Sequence, residues 1–508
     1  MSDVPFSPGQ GSPEMLAEYA YTRGRTALAE NVLSVYAGSE EKRDFMHPVH
    51  VRDLMKDFLG GDVNPFLFDV ALFHDVADRA QDMQLGKNAR KALHNFTQVL
   101  NDSDITFFNS VLGDLTVVEE MAEKYRSMVA RKDTKLGRVM NETSNKNQPV
   151  STKLWLEPSP MADPADMLEL VKEVNLESVL LKSVEMFDNL TRPSTKEIAV
   201  LQDVFEAESF YAPLCEILGY DGIAMALRSV SAQIRLQKSG NGQYVDQAQR
   251  ILEKLGTIDE VKQAVSKLFG YFGNDFDMDN VVDVGSGQHN IQIGELLHQV
   301  GAEGAEGAAN DQLLRGVRRI KSVGSLAMKL FKNQGKIPTD VVALNVIVPD
   351  KSDVVRYFPV MVKALDEADD VEFVPGQKRV EPLHIRGDKS FVQDLVDAID
   401  VDLPIDSMDL DSEKYKDETK FRVAKAMMRM SVDVTMIPIE VMVQTENDRL
   451  NSRIGDASHV AIKAKGNAVP FDHSTLSAIK ARKRHLRSGR VNPRSIERGD
   501  RFAFSYAA

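Results

Sequence analysis

The stretch Asn64-Pro65-Phe66-Leu67-Phe68-Asp69-Val70-Ala71-Leu72-Phe73-His74-Asp75-Val76-Ala77-Asp78 decides the fold of the first half of this chain. It has the pattern of one helix. Asn64 is placed to cap it, and Pro65 takes the first helical position, where a missing N–H breaks no bond. Apolar side chains then surround the helix on nearly every side, which implies burial. His74 and Asp78 are four apart and Asp75 and Asp78 three apart, so polar groups gather at its C-terminal end. A buried imidazole among carboxylates needs compensation, which a divalent metal ion supplies. The competing reading is a core histidine satisfied by hydrogen bonds beside a charged helix end.

His47, followed by Pro48, offers a second imidazole from an earlier helix. An antiparallel pair of helices would bring it to His74-Asp75. Mixed imidazole and carboxylate donors suit a divalent transition metal, which generates hydroxide near neutral pH and polarises phosphate oxygens.

Composition narrows the class. The 508 residues are 43% hydrophobic and 27% charged, as expected of a globular chain with two or more domains. The one cysteine, Cys215, excludes an intrachain disulfide and a cysteine-rich zinc site, and suits a reducing cytoplasm. Met1-Ser2-Asp3-Val4-Pro5-Phe6 has neither the basic start nor the apolar core of a signal peptide. No apolar run reaches the length of a membrane span, so no membrane partner is expected. A net charge of -14 argues against nonspecific nucleic-acid binding by the whole chain.

Residues 14–237 read as an all-helical domain, interrupted by a loop over Glu142–Asp166 with Pro158, Pro160 and Pro164. Residues 238–310 read as a helical connector ending in the small-residue linker Gly301–Gly307. Residues 311–468 mix strands and helices, which makes an α/β or α+β domain. Val341–Pro349 is an apolar, β-branched run. Met436–Thr445 alternates, with Ile439, Val441 and Val443 on one face and Glu440, Met442 and Gln444 on the other. Ser322–Lys332 reads as a helix and the acidic Asp394–Glu418 as a solvated loop. Residues 469–508 read as a basic tail, with nine Lys/Arg against two acids over Lys480–Arg501. Such a tail is usually mobile; contact with RNA or the ribosome is its second meaning.

Several segments, in order, look like motifs of one family. They begin with His47-Pro48-Val49-His50-Val51 and His74-Asp75-Val76-Ala77-Asp78, followed by Leu181-Lys182-Ser183-Val184-Glu185-Met186-Phe187-Asp188-Asn189. Phe210-Tyr211-Ala212-Pro213-Leu214-Cys215-Glu216-Ile217-Leu218-Gly219 is the most literal match. Arg319–Lys329, Asp340–Leu344, Ile439–Thr445 and Gly455–Lys463 continue the series. Together they resemble the RelA/SpoT family of guanosine tetraphosphate (alarmone) synthetase–hydrolases.

The resemblance implies an all-α, HD-type phosphohydrolase domain followed by a nucleotidyltransferase-like synthetase domain. In the first, it implies Mn2+ on His47, His74, Asp75 and Glu185, with Asp78 orienting or deprotonating water and Asn189 holding the nucleotide. In the second, it implies that Arg319, Lys321 and Lys329 grip phosphates. Asp340 and Glu440 would hold Mg2+, and Glu440 would also help activate the attacking hydroxyl. The implied partners are guanine nucleotides (ppGpp and GTP) and ATP. The chain departs from the pattern at Ala77, where an acid is expected, and at Glu185, where the family has Asp. The guanine-positioning Asn-Gly-Tyr-Gln-Ser segment is absent from Lys420–Ala426, and Met442 and Gln444 replace a polar residue and an arginine. The expectation is therefore an alarmone pyrophosphohydrolase with a degenerate GTP pyrophosphokinase-like domain.

Two other readings stand beside it. One is an inactive scaffold that senses nucleotides or binds a partner. The other is an S-adenosylmethionine-dependent methyltransferase, because Val281–Gly287 looks like a strand entering a glycine turn, although no acidic strand end follows at the required distance. Asp275, Asp277 and Asp279 begin like a calcium loop, but Asn280 and Ser286 stand where a glycine and an acid are needed.

Overall fold

The structure is a computed structural model. It describes residues 23–31, 42–60, 63–75, 86–130, 150–159, 162, 164–254, 276–284, 314–338, 340–348, 350–366, 371–373, 383–386, 389–399, 408–410, 422–432, 435–445, 448, 486, 491–498 and 500. The chain divides into two compact units. The first is Met1–Glu123, Glu169–Asp188 and Lys480–Ala508; the second is Lys124–Leu168 and Asn189–Ile479. No described helix is long and apolar enough to cross a membrane.

The first unit is helical where it is described, and its core is aromatic. Phe66, Phe73, Phe96 and Phe108 are all fully buried, and Phe73 stacks on Phe96 with ring centroids 4.5 Å apart. Such ring pairs add about 0.5–1.5 kcal/mol beyond the area they bury. Asn64 caps as the sequence predicts, its Oδ1 accepting from Phe66 N at 3.0 Å, with Pro65 between them. The helix itself is shorter than predicted. Regular α geometry covers Phe66–Ala71, after which Leu72 N bonds Asp69 O and Phe73 N bonds Val70 O. These i to i+3 bonds tighten the last turn just ahead of His74. Ala77 and Asp78 lie outside the described residues.

The basic stretch near the C-terminus differs from the mobile tail expected of it. Among its described residues Leu486 and Ser495 are buried within this first unit, and residues 493–498 are helical. Hydrogen-bonding groups that composition cannot reveal hold it there.

The second unit combines the helices Glu197–Glu206, Ala212–Ile217, Asp221–Lys238 and Gln243–Lys254 with a mixed sheet. Pro213 has no N–H to return to Ser209 O. That carbonyl accepts from Ala162 N at 2.9 Å instead, and the backbone widens into a π-helical turn over Ala207–Tyr211. Arg235, itself buried, fixes the irregular segment around Trp155. Its guanidinium bonds Glu208, the carbonyls of Trp155 and Glu157, and Ser159 Oγ. Trp155 is thereby held with no exposed surface.

The strands are β1 (Phe276–Val284), β2 (Leu314–Ile320), β3 (Val342–Val348), β4 (Val371–Phe373), β5 (Leu383–Arg386), β6 (Met408–Leu410), β7 (Val423–Val432) and β8 (Thr435–Thr445). Their order is β1-β2-β3-β8-β7-β5-β6, with β4 also on β7. The β1–β2, β3–β8 and β5–β6 pairs are parallel, and the remainder antiparallel. Alternation sets the faces: Ile439, Val441 and Val443 are buried with Val342, Val346, Ala424 and Ala426 against helical side chains such as Leu326, Phe358 and Phe391. The acidic stretch expected as a loop is partly ordered structure. Lys389–Ala398 is a helix whose Phe391 and Leu395 are buried, and Met408–Leu410 is β6. Its apolar residues recur at helical spacing, which the surrounding carboxylates mask in composition.

Candidate metal centre

Four donors converge within the first unit. His47 comes from the helix Lys42–Leu59, His74 and Asp75 from the turn after Ala71, and Glu185 from the helix Leu176–Thr191. One ligand atom from each lies within 4.8 Å of all the others. His47 Nε2 and His74 Nε2 are 3.2 Å apart, and His74 Nε2 is 3.4 Å from Asp75 Oδ1 and 3.9 Å from Glu185 Oε2. His47 Nε2 is 4.0 Å from Asp75 Oδ2.

The rear of each ring fixes its tautomer. His74 Nδ1 sits 2.7 Å from the Ala71 carbonyl, which can only accept, so Nδ1 carries the proton. His47 Nδ1 sits 2.6 Å from Asp188 Oδ2, with the same consequence. The two Nε2 atoms then face each other across 3.2 Å, a spacing that a proton carried by one ring or a cation held by both would account for. A cation takes both lone pairs at once. At metal–nitrogen lengths of about 2.0–2.1 Å, two nitrogens on one ion are about 2.9 Å apart at a right angle and about 3.3 Å at the tetrahedral angle. The observed spacing falls between these values, so it fits an ion without selecting its geometry.

Glu185 completes the case for fit. Its Oε2 is buried without an aligned hydrogen bond, although Lys182 Nζ forms an ion pair with it at 3.0 Å. Burial opposes its charge, but Lys182, His74 and His47 outweigh burial and hold the carboxyl below its usual range. Asp75 and Glu185 together match the charge of a divalent ion. His74 and Asp188 form the buried back of the site, while His47 and Asp75 keep some exposure.

Of the residues that the resemblance assigns to nucleotide and water, Asn189 lies one turn beyond Glu185 on the same helix, and Asp78 lies outside the described residues. Sequence reasoning overlooked Asp188 and Lys182. Both stand three residues from Glu185, a spacing that places them beside it on the helix. Lys182 Nζ also faces Glu119 Oε2 at 3.6 Å.

In the second unit β3 and β8 are parallel neighbours, with Ala343 opposite Glu440. Asp340 precedes Ala343 by three residues, just ahead of the start of β3. Each acid has its own cations. Lys321 Nζ is 2.8 Å from Asp340, Lys329 pairs with the same carboxylate, and Lys425 is 3.2 Å from Glu440. Burial raises the Asp340 pKa, but the two lysines outweigh it and bring it to about 2. Arg319 lies on β2 opposite Ala343.

The N-terminus of the helix Val323–Lys332 is satisfied internally. Ser322 Oγ accepts from Ser325 N at 3.4 Å and Ser229 Oγ from Gly324 N at 3.1 Å. Amides that would greet a phosphate there are already engaged. Glycine is required at 324 for another reason: a Cβ would lie 2.0 Å from the Ser229 carbonyl oxygen. No protein-family model matches the chain and no curated protein matches it, so the donor set itself carries the functional reading.

Proposed function

We propose that the first unit is an HD-type, divalent-metal-dependent phosphohydrolase acting on guanosine tetraphosphate. The convergence of His47, His74, Asp75 and Glu185, with the two Nε2 atoms 3.2 Å apart, is the observation that carries it. These four residues would hold the ion, manganese by the RelA/SpoT resemblance. When bound, it acidifies water and polarises pyrophosphate oxygens.

The remaining chemistry belongs to the chain. Asp188 and the Ala71 carbonyl keep a proton on each Nδ1, so both Nε2 atoms stay available as donors. Lys182 holds the Glu185 carboxylate in place. Asp78 is assigned to take the proton of the attacking water, and Asn189 to hold the sugar or base. Hydrolysis then releases pyrophosphate and leaves guanosine diphosphate.

Metal analysis of the purified protein, then incubation with guanosine tetraphosphate and Mn2+, tests this. The expected result is bound metal and pyrophosphate release, both lost in His74→Ala. Stoichiometric metal without turnover would favour the nucleotide-sensing scaffold, and a chain that binds no divalent metal would overturn the proposal.

For the second unit we propose a degenerate GTP pyrophosphokinase-like domain. The lysines expected to grip phosphates are engaged by Asp340, and Lys425 neutralises Glu440, which supports this reading. Incubation with ATP, GTP and Mg2+ should yield no guanosine tetraphosphate; its formation would restore the synthetase assignment. The methyltransferase reading gains nothing from β1, which ends the sheet path instead of lying at its centre.

A further inference from the structure

We infer that Leu486 and residues 491–498 clamp the metal centre, setting the spacing of the two segments that deliver His74 and Glu185. The inference rests on the metal reading above. It assigns a positioning role to residues that composition marks only as basic.

The segment touches the start of both ligand-bearing elements, all within the first unit. The carbonyl of buried Leu486 accepts from Asn64 N at 2.8 Å, and Asn64 is the cap of the helix that leads to His74. Asn492 N donates to Asn175 Oδ1 at 2.8 Å, and Asn492 Nδ2 reaches the carbonyls of Lys172 at 3.2 Å and Val174 at 3.3 Å. Asn175 directly precedes the helix Leu176–Thr191, which bears Glu185. Arg498 Nη2 donates to the Glu173 carbonyl, and Arg494 pairs with the Glu173 carboxylate.

Asp114 is the pin of this arrangement. It has no exposed side-chain surface, and it accepts from Asn175 N at 2.6 Å, from Ser495 Oγ at 2.5 Å and from Arg498 Nε. A dry carboxylate keeps its charge only while such donors surround it. The same group therefore binds the clamp and the start of the Glu185 helix together.

Each anchor lies ten residues ahead of its ligand, Asn64 before His74 and Asn175 before Glu185. Before Glu185 that is about 15 Å of continuous helix, and before His74 it is the helix Phe66–Ala71 with the tightened turn after it. Metal ligands must sit within about 0.2 Å of their required distances. A slip at either start is carried along the helix and misplaces a donor. Contacts at both starts bear on the difference between them, which is the quantity that the metal senses.

The test compares wild type, Arg498→Ala, Arg498→Lys, Asn492→Ala and Val118→Ala, a core truncation on the helix Asp102–Ala130 that carries Asp114. Manganese affinity is read by titration and by the electron-paramagnetic spectrum of the bound ion, beside a thermal unfolding midpoint. Arg498→Ala should weaken Mn2+ roughly tenfold or more, as loss of supporting groups around metal ligands does. Arg498→Lys should recover part of that affinity, and Val118→Ala should lower the midpoint while leaving affinity and spectrum unchanged. Should Arg498→Ala fail to fold, Asn492→Ala loses the two Nδ2 hydrogen bonds and the one that its Oδ1 accepts from Arg494 N, without stranding a buried charge, and it must show the weakening. Unchanged affinity in the clamp variants, or affinity that merely follows stability in Val118→Ala as well, overturns the clamp. Wild-type protein that binds no Mn2+ overturns the metal reading and the clamp with it.

Discussion

His74 is held from behind by the Ala71 carbonyl and meets His47 in front, so its ring has one orientation and one tautomer. Removing it takes away the donor nearest to the three other ligands. His74→Ala should therefore abolish stoichiometric divalent-metal binding while far-ultraviolet dichroism stays helical; unchanged metal content would sink the site. Asp188 acts one bond further out. Asp188→Asn keeps the shape but not the charge behind His47 Nδ1, and metal affinity should fall about 10–100-fold in a titration. A variant as tight as wild type would mean that His47 is oriented by something else. His47, His74, Asp75 and Glu185 were legible in the sequence because donor types and motif order pointed to them. Asp188 was not, since its partner lies 141 residues away and only the fold brings them together. Asp340 supplies a pH prediction. Its folded pKa is about 2 against an ordinary 3.8, so its stabilising effect is complete above about pH 4 and disappears as pH falls toward 2. The shift corresponds to about 2 kcal/mol. In acid titrations the stability gap between wild type and Asp340→Asn should narrow through that window, and a constant gap would refute the assignment.

At the level of helices and strands, the close approach at Gly324 is the most sensitive contact. A methyl group there meets the Ser229 carbonyl oxygen, backbone that cannot swing aside. Gly324→Ala should lower stability by about 1–3 kcal/mol through forced separation of the two helices, read as a lower denaturant midpoint for the second unit. An unchanged midpoint would mean that the helices slide apart at no cost. Some elements could be read from sequence with confidence in their physics. β8 alternates over Ile439–Val443, and Ser322 announces the helix that follows it, because both signals are local. The π-helical turn could not be read, since it depends on Ala162 reaching the carbonyl that Pro213 leaves open. The helix Lys389–Ala398 was hidden by its acidic setting. The docked segment around Ser495 was hidden by its arginines, which read as solvated until Asp114 is seen beneath them.

For the molecule as a whole, two compact units with separate cores should melt as separable transitions. The proposed Mn2+ site belongs to only one of them. At a free concentration a hundred times the dissociation constant, the ion should stabilise that unit by about 2.7 kcal/mol and leave the other in place. Calorimetry with and without a chelator checks this; movement of both transitions together would show that they are not independent. The lone tryptophan and the lone cysteine add a practical consequence. Trp155 and Cys215 are both fully buried, and both belong to the second unit. Tryptophan-selective fluorescence and thiol labelling therefore watch that unit alone, and the unit with the candidate metal centre is dark to both. Stripping the ion should leave the indole emission and the labelling rate of Cys215 untouched. Any response of either probe to added manganese would be a direct, label-free signal passing from one unit to the other.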